Sequence, residues 1–222
     1  GGVLMRSGHT EAAVDLCKLA NLPPVGVICE LANDDGTVMK GPQIAAFAEK
    51  HKLKQITVAD LIAYRQAREK LVERVHSFPV KTEFGEMTGH VYVTRFDDTQ
   101  HFAFVMGKLG DGEKVPARLH RANVVADVLG GASSIQCALR RFQKEGRGVL
   151  VYLRDGSAGV PIKSVEEGSD AVRFQQWREI GLGAQILRDL GVASIVNLAS
   201  TSRSFVGLSG FGIEIAETEP LE

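Results

Sequence analysis

An excess of charge of either sign is missing from this 222-residue sequence: 26 Lys and Arg face 27 Asp and Glu, for a formal net charge of -1. With no broad basic field to hold a polyanion, nucleic acid is not an expected partner and any anion site must be local. Long apolar runs are missing too. No stretch reaches the ~18 residues of a membrane span, and the first residues carry no basic segment followed by a hydrophobic one. A cytoplasmic protein without a membrane partner is expected. Cysteine is scarce: Cys17, Cys29 and Cys137 are odd in number, scattered and set in apolar stretches. That excludes a disulfide framework and predicts buried free thiols. Repeats and low-complexity tracts are absent. So is an initiator Met, and the opening Gly1-Gly2-Val3-Leu4-Met5 reads as the interior of a longer protein.

What is present is a 44% share of hydrophobic residues, enough for the core of one large or two small domains. Val3 to Met5 reads as a short strand. Ala13, Leu16, Cys17 and Ala20 recur at helical spacing in a helix from His9 to Ala20 that Pro23-Pro24 ends. Val25 to Cys29 is a β-type run leading into the turn-rich Asn33-Asp34-Asp35-Gly36, whose aspartates are turn formers. Pro42 opens a helix over Gln43 to His51, Ile56 to Val58 is strand-like, and Ala59 to Glu73 is helical. Residues 74–80 carry a Pro and no periodicity, which places a domain boundary there. Beyond it, Gly89 to Phe96 and His101 to Met106 form a hairpin. A helix (Gln136 to Glu145), a strand (Gly148 to Leu153), a helix (Phe174 to Leu190) and strands at Ser194 to Leu198 and Gly212 to Ile215 follow. The predicted class is mixed α/β (α+β): residues 1–68, a linker over 69–77, and a second domain over 78–222 that begins with a β meander.

The stretch Arg6-Ser7-Gly8-His9-Thr10-Glu11 places a small-residue turn before a helix, so unpaired N–H groups and the positive end of the helix dipole converge on one point. A phosphate suits that geometry; a plain helix start with a polar first turn is the alternative. Together with Gly26-Val27-Ile28-Cys29-Glu30-Leu31-Ala32-Asn33-Asp34-Asp35-Gly36-Thr37 and Asp60-Leu61-Ile62-Ala63-Tyr64-Arg65, this stretch resembles the C-terminal part of dihydroxybutanone phosphate synthases. The resemblance implies conversion of ribulose 5-phosphate to formate and a four-carbon phosphate in riboflavin biosynthesis. It implies His9 as a magnesium (or manganese) ligand and catalytic residue, Arg6 and Thr10 as holders of the substrate phosphate, and Glu30 as an acid/base residue. Enolisation beside a carbonyl needs such a metal and such a carboxylate. The family's acidic loop lies in the N-terminal half of that domain, so these residues are half of an active site. The apolar face of this part, Val27 and Ile28 included, must then be covered by the second domain or by another chain.

From about residue 78 onward, Pro79-Val80-Lys81-Thr82-Glu83-Phe84-Gly85, Ala138-Leu139-Arg140-Arg141-Phe142 and Gly181-Leu182-Gly183-Ala184-Gln185-Ile186-Leu187-Arg188-Asp189-Leu190-Gly191 resemble GTP cyclohydrolase II. In that family a His-Ser-x-Cys block and a Cys-x-Cys supply three thiolates to a zinc ion. Here the first block reads His120-Arg121-Ala122-Asn123, and the following Gly130 to Cys137 has no Cys-x-Cys. The loop Arg154-Asp155-Gly156-Ser157-Ala158-Gly159 lacks the family's glutamate and arginine, Gln176 replaces its aspartate, and Ser204 its lysine; Arg178 survives. No zinc site is expected. Retained positions such as Gly183, Leu187, Leu190 and Gly191 belong to a core.

These readings predict a synthase acting on a sugar phosphate, with a cyclohydrolase-like domain that is a non-catalytic scaffold or regulator, assembled as a homodimer. Two alternatives remain: retained GTP or other nucleotide chemistry using Arg154, Asp155 and Arg178, or a binding module for a nucleotide or flavin effector.

Overall fold

The structure is a computed structural model; it describes residues 2–4, 6–95, 98–130, 134–154, 170–199, 208 and 212–221, without the side chains of residues 67 and 170–178. The chain divides into two compact units, Gly1–Arg65 and Gln66–Glu222.

In the first unit a 3-10 turn at Gly2–Leu4 precedes helix α1 (His9–Leu19), α2 (Pro42–Lys50) and α3 (Val58–Arg68), the last running on into the second unit. Pro42 sits in the first turn of α2, where its missing N–H and fixed φ cost nothing. One buried carboxylate organises the unit. Asp15, 2% exposed on α1, accepts the Val3 N–H at 2.8 Å and a guanidinium N–H of Arg65 on α3 at 2.7 Å. A buried charge held by a full donor set costs little, whereas the same charge without them costs several kcal/mol.

Three sequence expectations for this unit are corrected. Val3 and Leu4 are 3-10 rather than strand, and neither the Val25 to Cys29 run nor Ile56 to Val58 forms a strand. A strand exists by pairing, and the one bridge among the described residues of this unit joins Ala32 to Val38 across the Asn33–Gly36 turn. That turn is as expected: Asp35 Oδ1 accepts both the N–H and the hydroxyl of Thr37, and Gly36 has φ +82. Val27 and Ile28 are 99% and 55% exposed, so the described residues of the first unit do not cover them. The thiols are not buried either, Cys29 being exposed and Cys17 and Cys137 half-buried.

The second unit is a seven-stranded mixed sheet in the order β1-β2-β3-β5-β4-β6-β7. Its strands are β1 (Val72–Thr82), β2 (Gly85–Thr94), β3 (His101–Met106), β4 (Val115–Arg121), β5 (Gly148–Leu153), β6 (Ser194–Ala199) and β7 (Glu214–Pro220). β1, β2, β3 and β5 pair antiparallel, the first three as the expected meander; β5, β4, β6 and β7 pair parallel. Among the described residues it also carries α4 (Val124–Leu129), α5 (Ser134–Glu145) and α6 (Asp170–Asp189). Residues 72–77 of the expected linker are the first half of β1, and α3 stops at Arg68 rather than Glu73. β1 is an edge strand, where Pro79 withholds no needed N–H and outward polar residues blur the alternation.

β5 is buried almost throughout, as a strand covered on both faces must be. On one face α5 sends Ala138, Leu139 and Phe142 against Leu150, Met87, Met106, Val196 and Leu198. On the other lies α6, whose Gly183 lets it approach β4 closely, since a Cβ there would fall 2.6 Å from Leu119 Cδ2. Buried Gln185 on α6 accepts the Leu71 N–H at 2.7 Å and donates to the carbonyls of Gln66 and Glu69, groups left open where α3 ends and β1 begins.

Gln185→Leu orphans those three backbone groups at about 1–3 kcal/mol each. We expect the variant to lose about 3 kcal/mol in urea unfolding, while a change at exposed Arg140 stays within about 0.5 kcal/mol.

Candidate functional site: a carboxylate cluster beside an apolar cleft

Side chains alternate across a strand, so Arg118 and His120 of β4 and Leu150 and Tyr152 of β5 all face α5. The parallel register sets Arg118 beside Leu150 and His120 beside Tyr152, whose rings stack with centroids 5.4 Å apart. At the end of β4 the chain turns into α4. Asn123 is its N-cap: Oδ1 accepts the Ala126 N–H at 3.0 Å. Four residues on, Asp127 reaches back. Its Oδ1 meets His120 Nε2 at 2.8 Å, and its Oδ2 accepts the Tyr152 hydroxyl at 2.7 Å and the Asn123 N–H at 3.0 Å. Arg118 lies buried in the same row, donating to the Leu198 carbonyl at 3.0 Å and to Ser134 Oγ on α5 at 3.1 Å.

The electrostatics follow from burial and these bonds. Burial alone would raise the Asp127 pKa, but the donors from Tyr152, Asn123 and His120 outweigh it and hold the carboxyl below its usual range. Burial pulls His120 below the ordinary imidazole value against the attraction of Asp127. Burial, then the bond to Asp127, pushes Tyr152 up to about 12. At neutral pH the cluster is therefore an ionised carboxylate receiving a phenol O–H, a backbone N–H and the Nε2–H of a neutral imidazole; His120 Nδ1 is buried with no hydrogen-bond partner among the described residues.

Zinc does not fit these residues. A catalytic site needs about three protein ligands, and among the described residues no group of three or more His, Cys, Asp or Glu could hold a metal ion. Asn123, at the cysteine position, has its amide oxygen committed to Ala126; His120 Nε2 and Asp127 are committed to each other. Cys137 sits on α5. Arg178 lies on α6 and Arg154 donates its N–H to buried His101, but the Arg178 and Gln176 side chains, Asp155 and Ser204 fall outside the described residues.

Next to the cluster is a cleft of about 380 Å³ between α5 and the first strands, lined by Val80, Thr82, Met87, Phe102, Phe104, Ile135, Leu139, Leu150 and Tyr152. Phe102 pairs in register with Tyr152 and Phe104 with Leu150, and the two phenyl rings lie nearly parallel, 6.1 Å apart.

In the first unit Arg6, His9 and Thr10 gather at the start of α1, all exposed. Gly8, the N-cap, supplies no side-chain cap, and Arg6 pairs with Glu11 at 2.9 Å. Glu30 lies exposed on the unpaired segment that follows; no hydrogen bond or ion pair joins it to the other three among the described residues. Asp127 and Tyr152 are not among the site residues expected from the sequence, although a carboxylate four residues after Asn123 is compatible with the first turn of a helix.

Residues 73–220 match the family model of GTP cyclohydrolase II, and residues 1–64 that of 3,4-dihydroxy-2-butanone 4-phosphate synthase. The chain belongs to the GTP cyclohydrolase II family, carried behind a segment of the synthase family. Riboflavin biosynthesis protein RibBA of Bacillus subtilis (strain 168) is 41% identical over 242 residues, covering this whole chain and 61% of the relative. The monofunctional riboflavin biosynthesis protein RIBA 2, chloroplastic, of Arabidopsis thaliana is 40% identical over 233 residues, covering this whole chain and 49% of its own length. The crystal structure of RibBX, a two-domain 3,4-dihydroxy-2-butanone 4-phosphate synthase from A. baumannii, matches with a TM-score of 0.74 and 36% identity over 98% of this chain and 61% of that one. The chain thus spans roughly half to three-fifths of these relatives.

His120 and Asp127 both have folded-state pKa values below their unfolded ones, as does His90, through burial and then Arg74. The unfolded chain therefore takes up protons first, and the stability they contribute is present above about pH 6.5 and is lost on acidification, with Asp127 adding its loss below about pH 4. We expect the melting midpoint of the second unit to fall between pH 7.5 and 5.5, and His120→Asn to flatten that fall, leaving the share due to His90. An unchanged slope in the variant would contradict the assignment.

Proposed function

We propose that the complete protein is a riboflavin-biosynthesis enzyme, a 3,4-dihydroxy-2-butanone-4-phosphate synthase, whose cyclohydrolase-like unit does not open the GTP ring. The observation that carries the second half is the commitment of Asn123 and Asp127. The side chain at the metal-ligand position caps a helix, and a carboxylate fills the space beside it with bonds to His120 and Tyr152. A thiolate zinc site polarises water; this cluster, with its phenol raised and its carboxylate already satisfied, offers no such nucleophile.

For the synthase half, the support is the family match over residues 1–64 and the exposed, uncapped start of α1. Arg6 and Thr10 would bind the phosphate of ribulose 5-phosphate with the N–H groups of that turn. His9 would hold magnesium or manganese together with acidic residues beyond this chain, and the metal would stabilise an enediolate. Glu30 would carry protons. A homodimer in the cytoplasm belongs to the same reading, in which the second unit serves as scaffold or regulator.

The test is the full-length protein with magnesium. Wild type should release formate from ribulose 5-phosphate, His9→Ala should lose that activity, and Arg6→Ala should act mainly by raising KM. Full activity in the His9 variant would refute the site. Formate released from GTP with zinc added would refute the claim for the second unit.

A further inference from the structure

The cleft between α5 and the meander has two properties that together select a ligand. Among the described residues its lining exposes no polar surface: the Tyr152 hydroxyl is spent on Asp127 and the Thr82 hydroxyl on the Gly85 carbonyl. Its wall is aromatic: Phe102 and Phe104, two residues apart on β3, hold half-buried, near-parallel rings 6.1 Å apart, and Tyr152 stands in register beside Phe102. At about 380 Å³ it lies within the ordinary range of small-molecule sites, ~300–1,000 Å³.

An aromatic wall favours an aromatic ring, through offset-stacked or edge-to-face contact, and an unpolar lining requires that the buried part of the ring carry no hydrogen-bonding groups. Guanine fails the second condition. It has donors or acceptors around most of its perimeter, and each one buried without a partner costs about 1–3 kcal/mol. An isoalloxazine meets both, because one end is a dimethylbenzene with only C–H groups and the other is a pyrimidinedione that can stay in water. We propose that this cleft binds a flavin by its dimethylbenzene end, against Phe102 and Phe104, so that the second unit senses the flavin pool. The choice of a flavin among rings of this shape rests on the riboflavin reading above; the exclusion of guanine nucleotides does not. Phe102 also stands in register beside Tyr152, which is bonded to Asp127, so a ring seated there bears on the cluster that orders the start of α4.

Riboflavin fluorescence titrated with the full-length protein tests this. Saturable quenching is expected, with displacement by o-xylene, which carries the apolar end alone, and none by GTP. Phe104→Ala should weaken binding at least tenfold. Should it fail to fold, Phe104→Leu keeps the apolar volume without the flat ring and should also weaken binding. No saturable quenching, unchanged affinity in the folded variants, or displacement by GTP would overturn the proposal. So would a Phe104 variant that changes the sedimentation coefficient without any flavin binding, since the cleft would then be a contact between chains. Failure of the same preparation to release formate from ribulose 5-phosphate would sink the synthase reading alone, and the titration would still decide the flavin site.

Discussion

A carboxylate withdrawn from water must be given donors, and much of the second unit around the site follows from how Asp127 obtains three. The N–H of Asn123 fixes where α4 begins, the Tyr152 hydroxyl ties the helix to β5, and the imidazole of His120 ties it to β4. Removing any one donor leaves charge in a medium where it is poorly screened, so the three elements hold one another in place. The first unit solves the same problem with Asp15, fed by the Val3 N–H and Arg65. In both units a carboxylate largely withdrawn from water ties short elements together.

The sheet supplies the row on which this works. β5 is the strand at which pairing changes from antiparallel with β3 to parallel with β4, and its register puts Phe102, Tyr152 and His120 side by side on the α5 face. Along that row the character passes from apolar at β3 to polar at β4. The cleft and the carboxylate cluster are therefore adjacent parts of one surface, joined through Tyr152.

Elements with a strong period were legible in the sequence: α1, α2, α5, the β2/β3 hairpin, β5 and β6. Others were hidden for physical reasons. β4, Val-Pro-Ala-Arg-Leu-His-Arg, carries Pro116 as its second residue and turns Arg118 and His120 inward, so its polar residues sit where a core strand would be apolar. α4 is six residues long and held by side-chain bonds rather than by a periodic face. Val25 to Cys29 has strand composition, yet composition provides no partner strand. At the site, the change from Cys to Asn could be read as a loss. That Asn123 would cap a helix and Asp127 fill the gap could not, because both facts depend on α4, and the partnership of Tyr152 with His120 depends on a parallel register between strands some thirty residues apart in sequence.

The central claim is that a carboxylate and its donors stand where the family's zinc chemistry stood, and zinc stoichiometry tests it most directly. Full-length protein would be saturated with zinc, dialysed against a mild chelator and assayed by elemental analysis. With Asn123 engaged as a cap and Asp127 already satisfied, the account predicts zinc far below one equivalent per chain. One equivalent that survives dialysis and disappears in Asn123→Ala or Cys137→Ser would contradict it.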